Sequence, residues 1–262
     1  MSNLLCTHDL TQVSNAALNF ALPLADRTGA KVTVLHVAPP GTPETEHGTL
    51  RSRLAALVEK AGGSDSVSIK VIEGRYMNVI PDESGNGYGM AVVGTHGPKG
   101  LRQNLFGADI LKLVRTMHVP TMVVQEGTNL NERLDRIVVP VAAHADIAKL
   151  LDAVCLLAKL HGSEVHIYQL VRPKEEPSAE LLNNKLVMLE RFEKDGIPCV
   201  QANEPSNTFS VGFAHPTAQY AKRIGAGCIA IMAHASDEYR YIADAEKERM
   251  LTNEACIPVL CI

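Results

Sequence analysis

Val32-Thr33-Val34-Leu35-His36-Val37, preceded by Gly29 and a helical pattern from Ser14 to Thr28, completes a β-α-β unit that begins at Leu4-Leu5-Cys6. Ala17, Phe20, Ala21, Leu24 and Ala25 recur at helical spacing on one face. Gly29 stands where a left-handed residue closes a helix, and Pro39-Pro40 stop the second strand. Pro23 falls inside the helix, where the lost backbone hydrogen bond costs about 3 kcal/mol unless the axis kinks, so a kink is expected there.

Outward from this unit, 50–61 reads as a second helix ended by Gly62-Gly63, and 67–72 alternates like a strand. A short helix is expected after Arg75. Ser84-Gly85-Asn86-Gly87-Tyr88-Gly89 is too glycine-rich for regular structure, and Met90-Ala91-Val92-Val93 has the unbroken apolar character of a strand buried on both faces. A helix from about Gly107 to Met117 and a strand over 120–124 close the half. Strands and helices alternate throughout, the pattern of a parallel sheet covered on both sides.

After the polar stretch 125–132 the plan restarts. Ile137-Val138-Val139-Pro140-Val141 answers to the first strand, Ala148, Leu151, Val154, Cys155 and Ala158 to the first helix face, and Gly162 to Gly29. Ile257-Pro258 answers to Val119-Pro120. The expected architecture is α/β: two tandem doubly wound domains, 1–126 and 134–262, each a five-stranded parallel sheet with helices on both faces. The last strands, 121–124 and 259–262, are short and apolar. They are expected to meet edge to edge in antiparallel sense as an internal pseudo-dimer, with a homodimer also open.

Composition narrows the function classes. Of 262 residues 46% are apolar, 21% are charged and none is Trp, a balance suited to a buried core. A formal charge of −4 without a long Lys/Arg run argues against nucleic acid as partner. No apolar run approaches the roughly 18 residues that span a bilayer, and no basic, apolar leader opens the chain, so no membrane association and a cytoplasmic location are expected. The six cysteines are scattered without metal-ligand spacing and read as reduced core thiols; no metal site is expected.

The chemistry-bearing stretch is Gly94-Thr95-His96-Gly97-Pro98-Lys99-Gly100, and nine residues separate Gly97 from Gly107. Glycine turns that meet a helix start let backbone amides converge on an anion, at the strand ends where open parallel sheets bind ligands. No Gly-Lys-Ser/Thr follows, and the glycines trail the fourth strand rather than the first, which removes the Walker A and dinucleotide-binding readings.

Gly-x2-Gly-x9-Gly plus a small residue, within Val-Val-Gly-Thr-His-Gly-Pro-Lys-Gly-Leu and before Val-Pro-x-x-Val-Val, resembles the universal stress protein family over the whole first half. The resemblance implies ATP or another adenine nucleotide in the first domain. Asp9 would meet the adenosine part, Val37 would lie against the base, and the amides of Gly97 and Gly107 would face phosphate. Gly94 and His96 would shape the loop, and Ala108 would complete the motif. The family usually carries Ser or Thr where this chain has Ala108, and the following Asp109 is expected to satisfy the helix dipole and repel phosphate, with Lys99 and Arg102 offsetting it.

In the second half Gly94, Gly97 and Gly107 become Met232, Ala235 and Ala245, His96 becomes His234, and Asp9 becomes Ala142. A Cβ at each site penalises the turns that let amides converge, so this half is expected to hold no ATP and to act as a structural or interaction module. The expected function is a nucleotide-binding stress-response or signalling protein with an unknown protein partner and no catalytic residues. A nucleotide-free scaffold, or a weak ATPase or nucleotidyl transferase, is the alternative.

Overall fold

The computed structural model describes residues 3–63, 66–95, 109–129, 134–172, 176–206, 212–236 and 240–262, apart from the side chains of 240–242. The chain divides into two compact units, Met1–Leu130 and Asn131–Ile262. The first runs β1 (Leu4–Thr7), α1 (Gln12–Thr28), β2 (Val32–Ala38), α2 (Glu44–Lys60), β3 (Val67–Glu73), α3 (Tyr76–Ser84), β4 (Met90–Thr95), α4 (Ile110–Thr116) and β5 (Thr121–Gln125). Its strands pair in parallel in the order β3-β2-β1-β4-β5. Inner strands β1 and β4 are buried at every residue, which is why they read as unbroken apolar runs. Edge strand β3 turns alternate residues to solvent.

The second unit repeats the plan: β6 (Arg136–Pro140), α5 (Ala148–His161), β7 (Glu164–Val171), α6 (Ala179–Lys194), β8 (Cys199–Pro205), α7 (Ala214–Arg223), β9 (Cys228–Ile231), α8 (Arg240–Leu251) and β10 (Val259–Cys261). Its parallel order is β8-β7-β6-β9-β10. The helix closures match as well. Gly29 and Gly162 both take φ +66°, and the residues that follow, Ala30 and Ser163, donate back to the carbonyls of Ala25 and Ala158 at 3.0 and 2.9 Å.

One expectation is corrected. The strands form a single ten-stranded mixed sheet, β3-β2-β1-β4-β5-β10-β9-β6-β7-β8, and not two separate five-stranded parallel sheets. The repeat fixes the strand order inside each unit. The extent of a sheet is set by backbone N–H and C=O groups at its last strands, which leave no signature in a side-chain pattern.

One helix keeps the proline its reading placed inside it, and another differs from its reading in extent. α1 is one helix from Gln12 to Thr28 with Pro23 inside it. α2 begins at Glu44, well before the expected Leu50, because its first turns are exposed and only Leu54 and Val58 are buried. Pro43 at the N-cap and Glu44 and Glu46 in the first turn mark the true start, with acidic groups placed favourably against the helix dipole.

Candidate functional site

The carboxyl ends of β1 and β4 meet the start of α1, and hydrogen bonds hold the connecting turn in place. His8 is only 1% exposed, its backbone N–H reaches the Leu35 carbonyl at 2.8 Å, and its Nδ1 accepts the Leu10 N–H at 3.0 Å. Nε2 therefore carries the proton and donates it to Asn15 Oδ1 at 3.0 Å. His36 Nδ1 in turn donates to the His8 carbonyl at 2.7 Å. Burial holds the His8 imidazole below its ordinary value, against the opposing pull of Asn15 and the Asp9 charge. A neutral ring with both nitrogens engaged is a brace for the turn. Leu10 sits at φ +66°, a left-handed conformation that costs a side-chain-bearing residue about 1–2 kcal/mol, and these bonds hold it there.

The turn presents Asp9. Its Oδ1 accepts the Thr11 N–H at 3.0 Å, the Thr11 hydroxyl at 2.5 Å and the Ser14 hydroxyl at 2.6 Å; Oδ2 receives none of the three. The Asp9 N–H donates to Ser14 Oγ at 3.2 Å, which closes the ring. One carboxylate oxygen is thus anchored at the head of α1, while the residue as a whole is only half-buried.

Gly94 belongs to the same junction for a reason other than turn geometry. Its φ is not positive. A Cβ there would lie 2.9 Å from the Val13 carbonyl oxygen and 3.3 Å from Ser14 Cα, so the missing side chain lets β4 pass directly under the first turn of α1. Ser14 therefore links Asp9, through its hydroxyl, to Gly94, through its backbone. Val37 is half-buried near the end of β2, two residues beyond Leu35, which pairs with Thr7 of β1. His96, Gly97, Gly107 and Ala108 lie outside the described residues.

Ser14, Thr11 and His8 were not singled out as site residues from the sequence. The available signal was the density of Asp, Thr and Ser just before a helical pattern, which marks side chains that bond backbone N–H groups at a helix start.

Asp109 has two side-chain partners at the start of α4. It stands at the N-cap of α4 but makes no side-chain cap bond. Its carboxylate instead accepts Lys112 Nζ at 3.0 Å on Oδ1 and the Tyr76 hydroxyl at 3.0 Å on Oδ2. Those two partners, Lys112 first, hold it below the ordinary carboxylate value. Burial and then this neighbouring carboxylate push the Tyr76 phenol up to about 12.

In the second unit the matching junction carries Ala142 after β6 and Met232 after β9. Glu246 and Lys247, each 4% exposed, fill space beneath. Glu246 Oε2 accepts the Ala214 N–H at 2.8 Å, and Lys247 Nζ donates to the Met232 carbonyl at 2.6 Å. All six cysteines are free thiols. Burial pushes Cys6, Cys228 and Cys261 up to about 12, which removes them as nucleophiles. No helix among the described residues is long and apolar enough to cross a membrane.

The model of the family described as "Universal stress protein family" matches residues 1–125. No curated protein sequence matches the chain. Among solved structures, a universal stress protein from Archaeoglobus fulgidus DSM 4304 is similar over 99% of this chain and 95% of its own, with a TM-score of 0.69 at 18% identity. A functionally unknown protein from Pseudomonas aeruginosa PAO1 is similar over 100% and 92%, with 0.61 at 16% identity. The cytoplasmic domain of a prokaryotic cation chloride cotransporter reaches 0.52 at 13% identity, over 99% and 94%. Identities this low carry the fold and not the activity. With its first half matched by the family model and its whole length by a universal stress protein structure, the chain has the fold of the universal stress protein family.

Proposed function

We propose that this is a cytoplasmic adenine-nucleotide-binding protein of stress response or signalling, with ATP or AMP held in the first unit between Asp9, Val37 and the loop from Gly94 through His96, Gly97, Gly107 and Ala108. The observation that carries the reading is the Asp9 junction. A carboxylate anchored through one oxygen at the carboxyl end of β1, half-exposed and beside a strand that a glycine brings close, suits a hydroxyl or amino donor of a nucleoside. The position is a switch point, because β1 has β2 on one side and β4 on the other, reached by crossovers in opposite directions.

Calorimetry of the full chain with ATP, AMP and adenosine tests this. Gly97→Val is expected to abolish ATP binding and Asp9→Ala to weaken all three ligands, while Ala235→Val in the second unit leaves affinity unchanged. The Lys112 and Tyr76 contacts of Asp109 already offset its charge, so Asp109→Asn is expected to change ATP affinity by less than about threefold. Purified protein carrying nucleotide should show a raised 260 to 280 nm absorbance ratio, which the absence of Trp makes easy to read. Failure of wild-type protein to bind any of the three ligands at millimolar concentration, or undiminished binding by Gly97→Val, would refute the proposal.

A further inference from the structure

A row of hydrogen-bonded side chains in the second unit, Glu164, His166 and Tyr220, plays no part in the nucleotide site. Glu164 and His166 lie two residues apart on β7, so both project from the same face of the sheet, and α7 sets Tyr220 against them. His166 Nε2 stands 2.9 Å from Glu164 Oε1, and His166 Nδ1 stands 2.7 Å from the Tyr220 hydroxyl oxygen. A carboxylate only accepts, so Nε2 of the neutral ring carries the proton and the lone pair of Nδ1 accepts the phenol O–H. His166 and Tyr220 are 6% and 7% exposed, so water competes little for either bond.

The chain has no Trp, which leaves tyrosine as its most easily oxidised aromatic side chain. A phenol that loses an electron becomes a strong acid, and the electron leaves readily only where a base is in place to take the proton. Tyr76 and Tyr88 donate to carboxylates, those of Asp109 and Glu83, and no imidazole accepts the hydroxyl of the buried Tyr168. An ordinary imidazole holds a proton about two pKa units more tightly than an ordinary carboxylate, and Tyr220 is the described tyrosine that faces one.

The surroundings keep the phenol protonated at rest. Burial and then the Glu204 charge hold it above the ordinary value, against the opposing pull of Arg223. The Arg223 guanidinium stands over the Tyr220 ring, 5.2 Å from its centroid, and its charge is compensated by the ion pair with Glu204. Arg223 is exposed, so one side chain separates the ring from solvent and an oxidant at the surface is within electron-transfer range. Tyr168 packs on Tyr220 with ring centroids 4.8 Å apart, and an electron hole arriving on either ring settles on the one with a base.

We propose that Tyr220 is a one-electron redox site, yielding its electron to an oxidising radical of the peroxyl class and its phenol proton to His166. The Tyr220 O–H bond breaks and an Nδ1–H bond forms. The oxidant gains one electron and becomes a peroxide anion, leaving a neutral tyrosyl radical and an imidazolium that faces Glu164. A one-electron reductant of the ascorbate class returns the electron, and His166 returns the proton. Burial keeps the radical from coupling with a second ring in solution. This site is separate from the nucleotide reading of the first unit and does not depend on it.

The test oxidises the full chain with photogenerated tris(bipyridine)ruthenium(III), followed by rapid freezing and electron paramagnetic resonance. Protein with isotope-labelled histidine is expected to give a tyrosyl radical coupled to a histidine nitrogen, formed more slowly in heavy water and quenched by ascorbate. Tyr220→Phe should lose the nitrogen-coupled signal and Tyr88→Phe should keep it, with circular dichroism reporting that both are folded. His166→Gln keeps a hydrogen-bonding side chain without a base and should slow radical formation about a hundredfold, in line with the worth of a positioned base. The proposal is overturned by a wild-type protein that forms no radical or one without histidine coupling, as a bond that merely satisfies buried polar groups would give. A coupled signal that survives in folded Tyr220→Phe, or an unchanged rate in His166→Gln, overturns it as well. If a variant does not fold, the histidine coupling in wild-type protein decides alone.

Discussion

Replacing Gly94 by alanine sets one methyl group against the backbone of α1. The new Cβ would stand 2.9 Å from the Val13 carbonyl oxygen and 3.3 Å from both Val13 C and Ser14 Cα. All three are backbone atoms, so no side-chain rotamer relieves the contact, and the first turn of α1 must move by a few tenths of an ångström. Gly94 lies in a fully buried strand between Met90 and Thr95, and overpacking of this kind costs about 1–3 kcal/mol. For a unit of this size that lowers Tm by roughly 3–10 °C. The natural control is Gly48→Ala in α2, exposed and with nothing within 4 Å of the added Cβ; there alanine removes a helix-interior glycine and should stabilise by about 0.5–1 kcal/mol. Urea titrations of both variants, compared at equal m, give the two signs. Because Ser14 also bonds Asp9, Gly94→Ala should weaken nucleotide binding, whereas Gly48→Ala leaves it unchanged. Gly94→Ala as stable as wild type, or both variants moving together, would refute the close-approach argument.

Two pH effects follow from groups whose values are lowered on folding. His8 is held below 6.5, chiefly by burial, so the unfolded chain binds more protons there and stability should fall as pH drops through about 6.5. His8→Gln should flatten that slope in urea titrations between pH 7 and 5 (a window bracketing the ordinary His value), and an unchanged slope would sink the assignment. For Glu83, burial raises the value but hydrogen bonds from Lys70, Tyr88 and Asn86 at 2.6, 2.7 and 3.0 Å outweigh it and leave the carboxyl below 4.5. Its contribution is therefore complete above the ordinary value and is lost as pH falls further. Glu83→Gln should cost about 1–3 kcal/mol at neutral pH and show a shallower acid limb than wild type; equal stability at pH 7 would contradict the network.

The sequence alone determined the alternation of strands and helices and the duplication, because both are written in local side-chain chemistry. Inner strands such as Met90-Ala91-Val92-Val93 are apolar at every residue since both faces are covered, and Gly29 and Gly162 close matching helices because both take a left-handed φ. The edge strand β8, Cys199-Val200-Gln201-Ala202-Asn203-Glu204-Pro205, has no such signature. Its pairing with β7 rather than its own composition makes it a strand. The start of α2 was hidden for a related reason, since a helix that buries only Leu54 and Val58 shows helical period over a fraction of its length. At the candidate site, Asp9 and Gly94 were legible as residue types. That Ser14 joins them, that Gly94 is required by the approach of α1 rather than by a turn, and that Asp109 faces Tyr76 and Lys112 all depend on which elements lie against one another. The single mixed sheet belongs to the same class: strand composition reports which faces are buried, while the number of strands in a sheet is decided by edge backbone groups that look alike in every sequence.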